Sequence, residues 1–223
     1  MTFSVAGYCP DTGMLGCAIT SSSICVTSRC AWVASGTGVA LTQNVTNPAL
    51  GPLALELLRE GLSPSEVLKA QAQADTDVQW RQLGVLNAQG DTATFSGAKA
   101  LGIHATAEGK HCLAMGNLLA NDGVPQAMIA AFESSQGHLA ERLLQALEAG
   151  LAAGGEMGPV YSAGLLMTAK PSWPVVDLRA DWHDTPIVEL RNLWALYEPQ
   201  MQAYITRAGN PSQAESFGVP GDE

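Results

Sequence analysis

The residue with the clearest chemical potential in this sequence is the threonine at position 2. Initiator methionine is commonly removed before a small residue, so Thr2 would become the first residue of the mature chain. An N-terminal threonine carries a hydroxyl nucleophile and a neutral α-amine that can accept the hydroxyl proton, directly or through a water. The ordinary pKa of an α-amine, about 7.7–8.0, makes it a competent base near neutral pH. A retained Met1 would block this amine and leave Thr2 inert.

A second group of candidate residues lies at the end of an apolar strand, just before a helix. The group consists of Gln43, Asn44, Thr46 and Asn47. Side-chain amides and backbone N–H groups in such a place are typical of an oxyanion hole or of a site that grips a substrate amide. The alternative is a turn, because Asn-Pro at 47–48 is good turn chemistry. Asn117 ends another predicted strand, where it either faces the same cleft or forms a local Asx turn.

Acidic and histidine residues near position 180 have the types that bind a divalent metal. They are Asp177, Asp181, His183 and Asp184, with Arg179 among them. Thr185-Pro186 is a helix start, however, and acidic residues there suit capping and the helix dipole. We therefore expect no metal or other cofactor, and a metal-dependent hydrolase built on Asp181 and His183 is the alternative.

Composition excludes several classes of partner. Hydrophobic residues make up 47% of the 223 residues, charged residues only 14%, and the formal net charge is −10. Nucleic acids and anionic membrane surfaces need clusters of Lys and Arg, so we expect neither as a partner. The N-terminus lacks the basic flank and apolar run of a signal peptide, and the five cysteines have no metal-ligand spacing. The sequence predicts a cytoplasmic protein with reduced, mostly buried thiols.

The order of the predicted elements indicates the fold class. Hairpins are predicted over 2–20, 30–44 and 83–96, helices over 53–61 and from 63, and a strand over 111–115. Two helices near 123–135 and 138–150, strands at 160–168 and 174–179, and a helix from 185 to about 206 follow. Hairpins imply antiparallel sheets, and paired helices imply a layer over them. The order fits an αββα sandwich in a single domain over 1–206, with an extended tail over 207–223.

The chain also resembles the DUF1028 family, whose fold is that of the N-terminal nucleophile (Ntn) hydrolases. The resemblance covers nearly the whole chain and rests on many short motifs that are specific together. They are MTFSVAG at 1–7, Asp11-Thr12-Gly13, Ser28-Arg29 with Trp32, TQNVTNPALG at 42–51, LLREGLS at 57–63, RQLGVLNAQG at 81–90, GNLLA at 116–120, ERLLQALEAG at 141–150, VDLRADWHDTPIVELRNL at 176–193 and SFGVPGDE at 216–223.

The resemblance implies the αββα fold, with Thr2 where Ntn enzymes keep their nucleophile. Arg29 follows Thr2 by 27 residues, about where proteasome-like Ntn enzymes place a basic residue beside the nucleophile. Such a charge would lower the pKa of the amine and stabilise a threonine alkoxide. The alternative is a strand-end arginine paired with a carboxylate. The family's substrate is not implied.

One stretch departs from the family pattern. A polar, Arg-containing run, roughly GGDxRGxQSA, is expected after Gly154-Gly155, but this chain has Glu156-Met157-Gly158-Pro159-Val160-Tyr161. Specificity is therefore expected to be changed or lost. We expect an Ntn hydrolase acting on an amide of a small molecule or short peptide. The alternative is a non-catalytic scaffold used for binding or assembly. The apolar composition and a long last helix with Trp194 and Tyr197 favour a homodimer.

Overall fold

The first hairpin shows how local sequence starts the fold. Its strands run antiparallel from Thr2 to Ser21, and the turn Pro10-Asp11-Thr12-Gly13 joins them. The N–H of Gly13 donates to the carbonyl of Cys9 at 2.8 Å. Gly13 has a φ of 70°, which a residue without a Cβ adopts at no steric cost. The turn therefore fixes the register in which Thr2 lies opposite Ser21.

The structure, a computed structural model, describes residues 1–216. The strands in this range are β1 (Thr2–Cys9), β2 (Met14–Ser21), β3 (Ala31–Ala34), β4 (Gly38–Asn44), β5 (Arg81–Asn87), β6 (Thr92–Ser96), β7 (Ala105–Gly109), β8 (Cys112–Asn117), β9 (Ser162–Thr168) and β10 (Pro174–Ala180). The α-helices are α1 (Val26–Cys30), α2 (Leu50–Arg59), α3 (Pro64–Ala74), α4 (Val124–Ser134), α5 (Leu139–Ala152) and α6 (Pro186–Gly209). Short 3-10 turns lie at Val78–Trp80 and Pro211–Gln213.

The strands form two antiparallel sheets. The larger sheet has the order β10-β9-β2-β1-β8-β7, and the smaller has the order β3-β4-β5-β6. Strand β1 therefore lies in the interior of the larger sheet, between β2 and β8. A residue at the start of β1 has a strand on each side, which leaves its backbone little freedom.

Alternation along β1 divides its side chains between two layers. Phe3 and Val5 pack on the outer face against a core that includes Met128 and Phe132 of α4 and Leu143 of α5. Ala6 packs on the inner face, in a core shared with β4 of the other sheet. Because successive strand residues point to opposite faces, Thr2 and Ser4 share the inner face with Ala6.

The smaller sheet is covered in the same way. Val39 and Leu41 of β4 face the larger sheet, whereas Ala40 packs against Ala54 of α2 and Val67 of α3. Helix α6 covers the larger sheet beside α5, with Leu190 and Trp194 in its core. Helices thus cover both outer faces of two packed sheets. The predicted αββα sandwich is confirmed.

Most of the expected elements are present, and the differences have local causes. Helix α3 begins with the predicted capping box, in which Ser63 and Glu66 hydrogen-bond reciprocally. Helix α1 and strand β7 were not predicted, since α1 is only five residues long and β7 (ATAEG) is rich in residues that disfavour strands. Helix α6 continues to Gly209, beyond the expected end at Thr206. The end of the expected tail, 217–223, lies outside the described residues.

The two aromatic residues behind the dimer expectation are used within the chain. Trp194 is buried and stacks on His138, and the hydroxyl of Tyr197 donates to the carbonyl of Val175 at 2.8 Å. Trp194 is therefore not free for a partner, whereas Tyr197 stays partly exposed. Within residues 1–216, no helix combines the length and the apolar character needed to cross a membrane.

Candidate active site between the sheets

Thr2 is the first residue of the interior strand β1, and only 5% of its surface is exposed. It has a register partner on each side, Ser21 at the end of β2 and Asn117 at the end of β8. Both partners are fully buried. Since paired residues in a sheet project their side chains to the same face, these three polar residues lie together on the inner face.

The hydroxyl of Thr2 lies beside a carbonyl group and a second hydroxyl. Thr2 Oγ1 donates to the carbonyl oxygen of Met1 at 2.5 Å and lies 3.2 Å from Ser21 Oγ. Ser21 Oγ donates to the same Met1 oxygen and accepts from the N–H of Ser23 at 3.0 Å. The backbone amide of Ser23 thus occupies an acceptor position of Ser21 and directs its proton to the carbonyl.

A chain of buried polar side chains beside this group joins the larger sheet to the smaller one. Ser4 Oγ donates to Gln43 Oε1 at 2.8 Å, and Gln43 Nε2 donates to Gln82 Oε1 at 2.7 Å. Asn117 Nδ2 donates to the same Gln82 oxygen at 3.2 Å. All four residues are fully buried. This chain joins the inner faces of the two sheets at the Thr2 end, where apolar packing would otherwise be expected.

Two backbone carbonyls fix the direction of every bond in this chain. Gln82 Nε2 donates to the carbonyls of Gly116 at 3.0 Å and Ala105 at 3.3 Å. Carbonyls only accept, so Gln82 must present its oxygen to Gln43 and Asn117. Asn117 must then donate to Gln82 with its nitrogen. Its own Oδ1 is buried and has no partner among the described residues. Asn117 therefore offers a hydrogen-bond acceptor, which suits a substrate N–H and not an oxyanion.

Arg29 lies on helix α1 and not at a strand end. Its Nη1 donates to the carbonyl of Cys25 at 3.1 Å, and no ion pair to it occurs within residues 1–216. Burial raises the pKa of the neighbouring Cys30 thiol to about 11, and Arg29, the Thr46 hydroxyl and the N-terminal ammonium oppose this effect. Arg29 and Thr46 are thus neighbours of Cys30, and Arg29 has no hydrogen bond to Thr2.

The two asparagines of the 43–47 group have local partners. Asn44 adopts a φ of 75°, donates to the carbonyl of Trp80 at 2.6 Å and accepts from the N–H of Leu101. Asn47 accepts from the N–H of Ala49, as in an Asx turn. These side chains hold the loop between β4 and α2. Of the four candidates in this group, Gln43 alone belongs to the buried amide chain.

Glu156 is a buried acid near the chain start whose role the sequence did not indicate. It is 5% exposed, and neither carboxylate oxygen has a hydrogen-bond partner among residues 1–216. A bridge between Glu156 and Leu119 fixes its backbone beside the end of β8. Burial raises the pKa of Glu156 to about 7, and the N-terminal ammonium together with the nearby hydroxyl and backbone N–H of Ser22 opposes this rise. The N-terminal ammonium acts on Glu156 only from a distance, since no ion pair to Glu156 occurs within residues 1–216.

The acidic group near position 180 has structural partners. Asp177 and Arg179 form a bidentate ion pair with distances of 2.6 and 2.9 Å. His183 Nδ1 accepts from the N–H of Thr185 just before α6. In the described part of the chain, no three His, Cys, Asp or Glu side chains are grouped as metal ligands would be. All five cysteines are free thiols.

Two antiparallel sheets between helical layers, with a buried threonine at the start of an interior strand, define an αββα sandwich protein. The chain belongs to DUF1028, a family of unknown function whose model matches residues 2–190. The crystal structure of a DUF1028 protein from Silicibacter pomeroyi is similar, with a TM-score of 0.83 and 30% identity over 88% of this chain and 85% of that one. The expected family membership is confirmed.

More distant similarity extends to the Anbu (ancestral β-subunit) proteins. Anbu from Yersinia bercovieri has a TM-score of 0.40 and 12% identity over 91% of this chain and 97% of that one. Anbu from Hyphomicrobium has a TM-score of 0.43 and 13% identity over 97% of this chain and all of that one. No curated protein matches the sequence significantly.

Proposed function

We propose that this protein is an Ntn hydrolase that cleaves an amide bond of a small molecule or short peptide. Thr2 is the nucleophile after removal of Met1. One observation carries the proposal: the hydroxyls of Thr2 and Ser21 both donate to the carbonyl oxygen of Met1 at the buried end of β1. This site already accommodates a carbonyl group next to a nucleophilic hydroxyl.

The reaction follows from these two hydroxyls and the amine that Met1 removal would free. The neutral α-amine of Thr2 takes the proton of Oγ1 as that oxygen attacks the substrate carbonyl carbon. The carbonyl oxygen becomes an oxyanion, to which Ser21 Oγ donates. The C–N bond then breaks, the leaving amine takes the proton from the α-amine, and an ester with Thr2 remains. Water hydrolyses this ester by the same proton route and regenerates the hydroxyl.

Other residues have supporting roles in this proposal. Arg29 supplies positive charge on helix α1, where it forms no ion pair within residues 1–216. Gln43 and Asn117 orient the substrate amide, Asn117 by accepting from its N–H, and Thr46 lies beside Cys30 at the edge of the site. Asn44 and Asn47 contribute by shaping the loop, since their side chains have local partners.

The test is a screen of amide substrates with protein whose intact mass shows Thr2 as the first residue. The Thr2→Ala protein is the matched control, because alanine is also small enough to permit methionine removal. Hydrolysis by the wild-type chain and none by the control is the expected result. Hydrolysis that persists unchanged in the control contradicts the assignment.

The second candidate function is a non-catalytic scaffold for binding or assembly. The contact of the Met1 carbonyl with Thr2 and Ser21 also supports this second function. A retained Met1 occupies the site, and the peptide bond between Met1 and Thr2 leaves Thr2 without a basic amine. The intact mass of protein from its native host separates the two functions. Complete retention of Met1 favours the scaffold.

A cytoplasmic homodimer is also part of the proposal. Helix α6 exposes Val188 and Leu196 to 58% and 68%, and apolar side chains so exposed are suited to covering by a second copy. Light scattering during size-exclusion chromatography measures the mass directly. A monomer at micromolar concentration contradicts this part alone.

A further inference from the structure

Met1 occupies the site in the manner of a bound ligand. Its carbonyl oxygen accepts from Thr2 and Ser21, and its ammonium lies in the field of Glu156. Its terminal methyl is 3.8 Å from the position that a Cβ on Gly158 would occupy, so the backbone of Gly158 borders its side chain. The carbonyl group and the end of the side chain of Met1 thus have defined neighbours, while 37% of the residue remains exposed.

Glu156 is the residue that favours a cation in this region when Met1 is absent. A buried carboxylate without hydrogen bonds is costly, and a nearby cation offsets that cost. After removal of Met1 the N-terminal amine belongs to Thr2, whose Cα lies about 3.8 Å from the position of the Met1 Cα. That amine must also be neutral to act as the base. Both carboxylate oxygens of Glu156 are buried and have no hydrogen-bond partner within residues 1–216, so a cation bound close by would stabilise its charged form.

We propose that the space vacated by Met1 binds an aminoacyl group with a free α-ammonium, and that Glu156 is the residue that recognises this ammonium. This inference rests on the proposed function and narrows its substrate class to amides of α-amino acids and peptides with a free N-terminus. The bond attacked is the one on the carboxyl side of the recognised residue. Met1 is a guide to the position of the acyl group because both are attached to Thr2. Met1 is bonded to the nitrogen of Thr2, and the acyl group formed in the reaction is bonded to Oγ1 of the same residue.

Binding is tested first, apart from catalysis. The wild-type chain, trimmed with methionine aminopeptidase and checked by intact mass, is titrated calorimetrically with L-methioninamide and with N-acetyl-L-methioninamide. We expect binding of the free amine only. We expect Glu156→Gln to weaken it at least 10-fold and Glu60→Gln, at an exposed position after α2, to leave it unchanged. The untrimmed chain should bind neither compound, because its own Met1 fills the site; this comparison needs no substitution and holds if Glu156→Gln fails to fold.

Turnover is then measured with L-methionine p-nitroanilide and its N-acetyl derivative. We expect hydrolysis of the free amine, with Glu156→Gln acting mainly on KM and little on kcat. Equal hydrolysis of both anilides is consistent with the proposed hydrolase activity and contradicts recognition of the free ammonium by Glu156. Selective binding of the free amine without any hydrolysis contradicts the hydrolase activity and is consistent with recognition of the ammonium. Equal binding of the two amides, or binding of neither, overturns the recognition. If Glu156→Gln lowers kcat on both anilides, recognition of the substrate ammonium by Glu156 is also contradicted. Glu156 would then act by positioning the Thr2 amine.

Discussion

Thr2 and Asn117 are register partners on the neighbouring strands β1 and β8. Asn117 is held by Gln82, and Gln82 is held by the carbonyl of Gly116, the residue paired with Phe3. The backbone of the proposed nucleophile is therefore fixed by pairing on both sides, and its partner Asn117 is tied to the smaller sheet through the buried amide chain. Such a fixed position is what a nucleophile needs if a substrate carbonyl is to be held at reacting distance.

Replacing Gln82 should destabilise the protein strongly. In Gln82→Met the N–H donors of Gln43 and Asn117 and the carbonyl of Gly116 lose their partner in a buried place. Unsatisfied buried groups cost about 1–3 kcal/mol each, and partial relaxation brings the expected loss to about 3 kcal/mol. Urea unfolding measures it. Gln200→Met, at an exposed position on α6, should change the free energy of unfolding by less than about 0.5 kcal/mol. Equal effects of the two substitutions would show that the amide chain contributes nothing.

Substitution of Thr2 should show whether its hydroxyl is the nucleophile. Thr2→Ala should abolish hydrolysis, whereas Thr2→Ser should keep part of it, because serine preserves both the hydroxyl and the α-amine. The measurement is kcat/KM on whichever amide the screen identifies, with intact mass checked for each variant. A Thr2→Ser protein as inactive as Thr2→Ala, with Met1 removed from both, would count against a hydroxyl nucleophile.

Ser21 should act on the chemical step. Its proton points to the carbonyl beside Thr2, because the N–H of Ser23 occupies an acceptor position on Ser21 Oγ. Loss of one oxyanion donor costs on the order of 100-fold in kcat, so Ser21→Ala should lower kcat by roughly that factor with a small change in KM. Ser23→Ala is the matched control, since Ser23 contributes its backbone N–H and keeps it in the variant. An unchanged kcat in Ser21→Ala removes Ser21 from the mechanism.

The sequence predicted the layers of the fold better than the composition of the site. Hairpin turns such as Pro10–Gly13 and the capping box at Ser63 are local signals, so they locate strands and helices without knowledge of the tertiary structure. Strand β7 has no such signal and depends on pairing with β8. Its Ala-rich sequence therefore gave no strand prediction.

The site depends on contacts between residues distant in sequence. Gln82 enters the sequence analysis only within the motif RQLGVLNAQG, because its role arises from partners 34 to 39 positions away. Ser21 is one of three consecutive serines, and only the register with Thr2 shows its place in the site. Glu156 was noted only as part of a stretch that departs from the family pattern. A pair of orphaned carboxylate oxygens cannot be read from a sequence.

The last prediction concerns how Glu156 links stability to pH. Burial raises the pKa of Glu156 from an ordinary value of 4.5 to about 7, and the N-terminal ammonium and Ser22, which oppose the rise, are the groups that act on it. The folded protein therefore holds a proton that the unfolded chain has already released between these two values. Stability must fall as pH rises through this window, because ionising Glu156 costs more in the folded state.

Glutamine cannot ionise, so the Glu156→Gln variant lacks this dependence. At about 1.4 kcal/mol for each unit of pKa shift, the wild-type chain should lose up to about 3 kcal/mol relative to the variant between about pH 4.5 and 7, and nothing further above pH 7. Urea unfolding of both proteins at intervals from pH 4.5 to 8 gives the difference directly. The exposed Glu60→Gln variant should follow the wild type throughout. A constant difference between wild type and Glu156→Gln across this range would mean that Glu156 ionises in the folded protein as it does in the unfolded chain.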